Sequence, residues 1–83
     1  MRTNDKNELI KNIDRLKTTL NGAIRIRKNL GINTVNPVEW CKAQIKSKNS
    51  TVHKEGKNYY VKVNGYEITI NDSSFTIITA HFL

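Results

Sequence analysis

One histidine of this sequence, His81, closes an apolar run and has a hydroxyl side chain, Thr79, two residues before it. Side chains alternate along a β-strand, so these two share a face if the run is a strand. Histidine changes protonation near neutral pH and is the commonest general acid or base in enzymes. His81 is therefore the leading catalytic candidate, with Thr79 beside it. The alternative is a strand-terminal histidine satisfied by a backbone carbonyl.

Metal-independent cleavage of RNA needs only common side chains: a base for the 2′-OH proton, cations for the crowded phosphate, and an acid for the leaving 5′-oxygen. The sequence offers Tyr60 to position the phosphate. Four cations could bind it: Arg25, Arg27, Lys57 and Lys62. His53 is either a further participant or an ordinary polar strand residue. This set permits the reaction without being specific to it, because most basic domains contain similar residues.

Standard catalytic and cofactor motifs are missing from the sequence. It contains no P-loop, no dinucleotide fingerprint, no His-Glu-x-x-His and no pair of Cys-x-x-Cys motifs. Its few Asp and Glu residues are scattered, which argues against a two-metal nuclease. We expect neither a metal nor a cofactor. The single cysteine, Cys41, lies in an apolar-periodic stretch, which indicates a buried core residue; the alternative is a reactive thiol.

The positive charge is concentrated in the first half of the chain. The 83 residues carry 14 Lys and Arg against 7 Asp and Glu, a net charge of +7. Residues 1–49 hold eleven of these cations and four of the acids, whereas residues 50–83 hold three of each. Clustered cations favour a polyanion, because phosphate contacts release counterions. Nucleic acid, and RNA above all, is the expected partner; the alternative is a solvated basic surface without a ligand.

Length and hydropathy predict one domain over residues 1–83, because the chain is too short for two. No apolar run approaches the roughly 18 residues that span a bilayer, and no signal-peptide core follows Met1. The helical segments also lack the bulky apolar face of an interfacial helix. We therefore expect a cytoplasmic protein with no membrane partner.

The first half, 1–49, predicts helices. Asp5 is the expected N-cap of the first, with Glu8 at its third position. An apolar stripe follows at helical spacing, formed by Leu9, Ile13, Leu16 and Leu20. Asn21-Gly22 is the predicted stop, and a short second helix is expected over 23–30.

A third helix has the clearest start signal. Asn36 is the expected N-cap, Pro37 takes the first position and Glu39 the third. The helix is expected to continue to about Lys46.

The second half, 50–83, predicts four antiparallel strands, because hydrophobicity alternates there with a period of two. The expected strands are 51–55, 59–63, 66–70 and 75–81. Asn64-Gly65 is a strong two-residue hairpin signal that sets Lys62 opposite Glu67. Gly56-Lys57 is a weaker one, since a longer loop is an alternative.

The face of each strand residue follows from this register. Tyr60 and Lys62 fall on the polar side of the sheet, and His53 joins them if the first hairpin also closes through two residues. Placing Ile70 opposite Phe75 assigns each side chain of the last strand to one face of the sheet. Its members on the apolar side are then Phe75, Ile77, Thr79 and His81, and those on the polar side are Thr76, Ile78 and Ala80. The expected architecture is α+β: helices packed on one face of a four-stranded antiparallel sheet, with the other face partly open.

Four segments carry a resemblance to an uncharacterised family of small bacterial domains of unknown function: 22–30, 38–42, 56–61 and 75–81. The closing Thr-Ile-Ile-Thr-Ala-His string is the most specific element. More distantly, helices followed by such a sheet are similar to the ribonuclease toxins of the barnase, EndoU, colicin and RelE-like group. That likeness implies catalytic roles for Thr79 and His81, and roles by type and place for Lys57, Tyr60 and Arg25.

The sequence thus favours a metal-independent endoribonuclease of the small bacterial toxin type. The alternative is a non-catalytic RNA-binding module, or a small bacterial or phage inhibitor that occupies the anionic groove of a nucleic-acid enzyme. In either case a protein partner is conceivable: an immunity protein, an antitoxin or a target enzyme.

Overall fold

The computed structural model describes residues 4–33 and 36–83, which form three α-helices followed by a four-stranded antiparallel sheet. The helices are α1 (Asp5–Lys11), α2 (Leu20–Leu30) and α3 (Pro37–Lys46), and a 3₁₀ turn, Ile13–Arg15, follows α1. The strands are β1 (Thr51–Glu55), β2 (Asn58–Val63), β3 (Tyr66–Asn71) and β4 (Ile77–Phe82), paired in chain order. The predicted α+β class, with helices packed against the sheet, is confirmed.

α1 starts one residue earlier and ends sooner than predicted. Its N-cap is Asn4, whose Oδ1 accepts hydrogen bonds from the backbone N–H groups of Lys6 (2.8 Å) and Asn7 (3.3 Å). The predicted cap at Asp5 is therefore wrong by one position. The helix ends at Lys11, so the apolar stripe does not continue as one helix to Leu20.

Beyond the 3₁₀ turn, the chain lies along the edge of the sheet. Lys17 N–H donates to the carbonyl of Phe75 (3.1 Å), and Ile77 N–H donates to the carbonyl of Lys17 (2.7 Å). The result is a short parallel bridge between Lys17 and Thr76. These bonds satisfy edge groups beside β4 that a continued helix would leave unpaired, which explains why α1 stops early.

α2 begins where a helix stop was predicted. Thr19 is its N-cap, and Thr19 Oγ1 accepts a hydrogen bond from Gly22 N–H (3.0 Å). Asn21-Gly22 therefore lies in the first turn of α2, and the prediction of a stop there is wrong. The helix ends at Leu30, and its C-cap is Gly31, whose φ of 63° is a left-handed conformation that glycine adopts without a Cβ penalty.

α3 has the predicted start and end. Asn36 Oδ1 accepts a hydrogen bond from Glu39 N–H (3.2 Å), and Pro37 occupies the first helical position. The helix ends at Lys46. Three start signals within four residues were sufficient to locate it.

Both predicted hairpins are confirmed. Around Asn64-Gly65, Lys62 lies opposite Glu67; both turn residues have positive φ, 50° and 83°. A type I′ turn requires this, and its twist matches that of the strands. Around Gly56-Lys57, Glu55 lies opposite Asn58, so that turn also has two residues.

The core lies between the helices and one face of the sheet. Its members on the sheet side are Tyr59, Val61, Val63, Ile68, Ile70, Ile77 and Ala80. Its members on the helices and the 3₁₀ turn are Leu9, Ile13, Ile26, Leu30, Cys41 and Ile45. Cys41 is fully buried, as predicted for a core residue.

The register of β4 differs from the prediction. Ile70 pairs with Ile77 rather than Phe75, and Thr69 pairs with Thr79, so Ile78 is an extra residue in a β-bulge. A bulge shifts every later side chain to the other face. Assigning Thr79 and His81 to the apolar side was therefore wrong, and so was assigning Ala80 to the polar side.

The bulge can be tested by comparing substitutions at adjacent positions. Ala80→Asn should lower the free energy of unfolding by about 3 kcal/mol, because it places an amide among buried aliphatic side chains. Thr79→Asn should lower it by about 1 kcal/mol or less, within the range of strand propensity on an accessible face. Urea denaturation of both variants measures the difference. The reverse order would indicate a regular strand without a bulge.

Candidate functional site

The sheet has one face turned away from the core, which we call the open face. Cross-strand pairing arranges its central side chains in two rows. One row contains Thr51, Lys62, Glu67 and His81. The other contains His53, Tyr60, Thr69 and Thr79. The bulge in β4 thus brings the two leading candidates from the sequence onto the same face as Tyr60 and Lys62, with β3 between them.

An aromatic pair lies across β1 and β2 on the open face. The rings of His53 and Tyr60 are stacked, with centroids 5.3 Å apart and planes inclined by 21°. The Tyr60 hydroxyl accepts a hydrogen bond from Asn58 Nδ2 (3.4 Å). His53 Nε2 lies 3.7 Å from Glu55 Oε2. The tyrosine ring is therefore held at one face by His53 and at its hydroxyl by Asn58, which preorganises it to receive a planar ligand.

A histidine and a carboxylate are paired at the other side of the face, across β3 and β4. His81 Nε2 lies 3.7 Å from Glu67 Oε1. The His81 side chain is 44% exposed, so a ligand can reach it, and Glu67 is more covered. Thr79 lies across from Thr69, which is buried. This corner of the face combines a titratable ring, a carboxylate that can orient it, and a hydroxyl group.

Two of the predicted phosphate-binding lysines lie at opposite ends of β2. Lys62 shares a row with His81, whereas Lys57 lies in the turn before β2. Five residues of extended chain put them about 17 Å apart. Both are exposed, and neither enters an ion pair with another residue of the described ranges. The open face is thus bounded by a cation at each end.

The two predicted arginines belong to the helical layer. Arg25 is exposed on α2, the helix whose Ile26 and Leu30 enter the core. Arg27 is partly buried on the same helix. The structure therefore groups Tyr60, Lys62, Thr79 and His81 on one surface and leaves both arginines on another.

Sequence reasoning placed Glu67 and Thr69 on this face, opposite Lys62 and Tyr60, but did not name either as a site residue. The signal for Glu67 was present, because the Asn64-Gly65 turn sets it opposite Lys62. Its proximity to His81 could not be anticipated, since it depends on the bulge in β4.

Other kinds of site are not evident within residues 4–33 and 36–83. These residues contain no group of three His, Cys, Asp or Glu side chains placed to hold a metal ion. A surface depression of about 420 Å³ lies on α1, lined by Asn7, Glu8, Lys11 and Asn12, and contains none of the predicted site residues. Within the same ranges, no helix has the length and apolar character needed to cross a bilayer.

Residues 10–81 match the model of a protein family described as a protein of unknown function, DUF3781. The chain belongs to this family. No curated protein and no solved structure matches it. The match to the DUF3781 model spans most of the chain. It includes α2, α3 and the sheet as far as His81, and therefore the open face.

The thiol of this DUF3781 protein provides a test of its core. Burial raises the pKa of Cys41 to about 12 from an ordinary value near 9. Because the unfolded thiol ionises first, stability is fully present below about pH 9 and falls as pH rises towards 12. Chemical denaturation between pH 8 and 11 should show a smaller decline for Cys41→Ala than for wild type. Identical declines, or alkylation of native Cys41 at pH 8, would contradict the buried placement.

Proposed function

We propose that the open face of the sheet binds single-stranded RNA. One observation carries the proposal: the β4 bulge gathers His81 and Thr79 onto the surface that already holds Tyr60 and Lys62. Without the bulge, the first two would belong to the core side.

The His53–Tyr60 pair offers an aromatic surface on which the bases of single-stranded RNA can stack. Unpaired bases stack on aromatic side chains, and each such contact contributes about 1 to 3 kcal/mol with little preference for sequence. Tyr60 is already held by His53 at one ring face and by Asn58 at its hydroxyl. A base that stacks there therefore binds a largely preorganised ring.

The charges on and around the face limit where phosphates bind. Lys62 and Lys57 attract them, whereas Glu55 and Glu67 repel them. Phosphates should therefore lie at the two ends of β2, with bases between them over Tyr60. Such a path makes few phosphate contacts, and the net charge of +7 adds a general attraction.

The salt dependence of RNA binding tests this path. Each phosphate contact contributes about −0.7 to the slope of log affinity against log salt for single strands. Lys62→Gln and Lys57→Gln should each bring the slope closer to zero by about 0.7. Arg25→Gln removes the same charge from α2 and should leave the slope nearly unchanged. Fluorescence anisotropy with a labelled oligouridine measures all three.

The outcome for Arg25 decides between two surfaces. If Arg25→Gln changes the slope as much as Lys62→Gln, RNA contacts the helical layer, as the sequence alone suggested. If wild type does not bind oligouridine near physiological salt, RNA is not the partner.

Stacking is tested by a matched pair at one position. Tyr60→Phe keeps the aromatic ring and should retain the affinity for RNA. Tyr60→Leu removes the ring and should weaken binding about 10-fold, the lower part of the range for base stacking. Melting temperatures of both variants control for folding. Equal affinities would contradict a stacking role.

Metal-independent RNA cleavage is a second candidate, favoured by the Glu67–His81 pair. In this reaction the 2′-oxygen attacks phosphorus and the bond to the 5′-oxygen breaks, leaving a 2′,3′-cyclic phosphate and a free 5′-OH. His81 would accept or supply a proton, with Glu67 orienting its ring from 3.7 Å. Lys62, in the same row, would stabilise the crowded phosphate. The likeness to ribonuclease toxins adds no support, because no solved structure matches the chain.

Cleavage is tested by comparing the two histidines of the open face. If His81 is catalytic, His81→Ala should slow cleavage at saturating RNA by about 10² to 10⁴-fold. His53→Ala removes the ring stacked on Tyr60, so it should weaken RNA binding but retain most of the rate at saturation. The free energy of unfolding of His81→Ala should differ from that of wild type by no more than about 1 kcal/mol, because the His81 side chain is 44% exposed. The product should be a cyclic phosphate and form in EDTA. RNA binding without cleavage by wild type would leave the binding function and reject the enzyme.

A further inference from the structure

α2 presents two large aliphatic side chains to solvent. Leu20 is 79% exposed and Ile24 is 54% exposed, although both lie in a helix whose other face is buried in the core. They are four residues apart, so they are adjacent on one side of the helix. Single exposed apolar residues are ordinary, but an adjacent pair on one helix forms a small apolar ridge.

Cations accompany this ridge without any acidic neighbour on the helix. Arg25 and Lys28 are exposed on α2, and no Asp or Glu occurs among residues 20–30. Neither Arg25 nor Lys28 forms an ion pair with another residue of the described ranges. The helix thus presents apolar side chains beside positive charge that nothing on α2 neutralises.

β4, the strand that packs against α2, also has an exposed aliphatic side chain. Ile78, the extra residue of the bulge, is 41% exposed, and β4 packs against α2. The start of α2 approaches this strand closely, because Thr18 Oγ1 donates a hydrogen bond to the carbonyl of Ile77 (3.4 Å). Ile78 directly follows the buried Ile77, so its side chain is directed away from the core face that α2 covers, and it is not part of the Leu20–Ile24 ridge.

The apolar and positive side chains of α2 together indicate which kind of partner could bind this surface. A two-fold contact with a second copy through α2 would bring Arg25 and Lys28 against the same cations of that copy. RNA would satisfy the cations but leave Leu20 and Ile24 without apolar contacts. A membrane interface is normally contacted through a larger apolar face with aromatic residues, which α2 lacks. A protein segment with aliphatic side chains flanked by carboxylates complements both features.

We propose that the exposed face of α2 is a docking surface for an acidic amphipathic segment of a partner protein. Leu20 and Ile24 would enter the partner's apolar contacts, and Arg25 and Lys28 would pair with carboxylates at the rim. This surface is separate from the open face, so the inference does not depend on RNA binding.

The test uses a designed peptide as the probe. It is a labelled helical peptide of 16 residues with leucines on one face and glutamates on both sides of them, compared with a scrambled peptide of identical composition. Wild type should bind the amphipathic peptide at least 10-fold more tightly than the scrambled one. Leu20→Gln with Ile24→Gln should remove this preference, whereas Asn29→Gln, a neutral change on an exposed part of the same helix, should not. Arg25→Glu with Lys28→Glu should weaken binding at low salt.

Three results would overturn the proposal. The first is equal binding of the two peptides by wild type. The second is a preference that survives Leu20→Gln with Ile24→Gln. The third is binding of wild type, but not of that double variant, to phosphatidylserine vesicles, which would assign the surface to a membrane. Thermal melting controls for folding, and unchanged oligouridine binding by the double variant separates this result from the proposal for the open face.

Discussion

The structure depends on burying one face, and only one face, of its sheet. Three short helices and a 3₁₀ turn supply the apolar side chains that cover one side of the sheet, formed by Tyr59, Val61, Ile68 and Ile70. A chain of 83 residues has few further apolar side chains with which to cover the other side. Part of each sheet edge is also hydrogen-bonded. Asp5 Oδ2 accepts a hydrogen bond from Lys54 N–H on β1 (2.9 Å), and Lys17 bonds with the chain around Thr76 beside β4. The polar face is what remains accessible.

The bulge in β4 follows from this constraint. Ile77 and Ala80 are both buried, yet they are three residues apart, and strict alternation cannot place both on one face. An extra residue at Ile78 resolves the conflict and turns the polar side chains of Thr79 and His81 outward. The same adjustment therefore completes the core and assembles the candidate site. A packing requirement, rather than a local turn signal, determines where His81 lies.

The sequence predicted the features that local chemistry controls. Asn36-Pro37 located α3, and Asn64-Gly65 fixed the register of β2 and β3. It failed where distant partners compete with local preference. Leu20 continues an apolar helical pattern but is exposed, because residues around Lys17 leave the helix to pair beside β4. The candidate residues were named from their types, but their common surface could be recognised only once the bulge was known, and Arg25 proved to belong to a different surface.

The most direct test of the account is a nuclear magnetic resonance titration of the isotopically labelled protein with a short oligouridine. The account predicts that backbone and imidazole signals of the open face, including Tyr60, Lys62, Thr79 and His81, shift together with one affinity, and that signals of Leu20 and Ile24 on α2 do not. It further predicts that Tyr60→Leu weakens all of these shifts in parallel. Shifts confined to α2, or no shifts on the open face at saturating RNA, would contradict it.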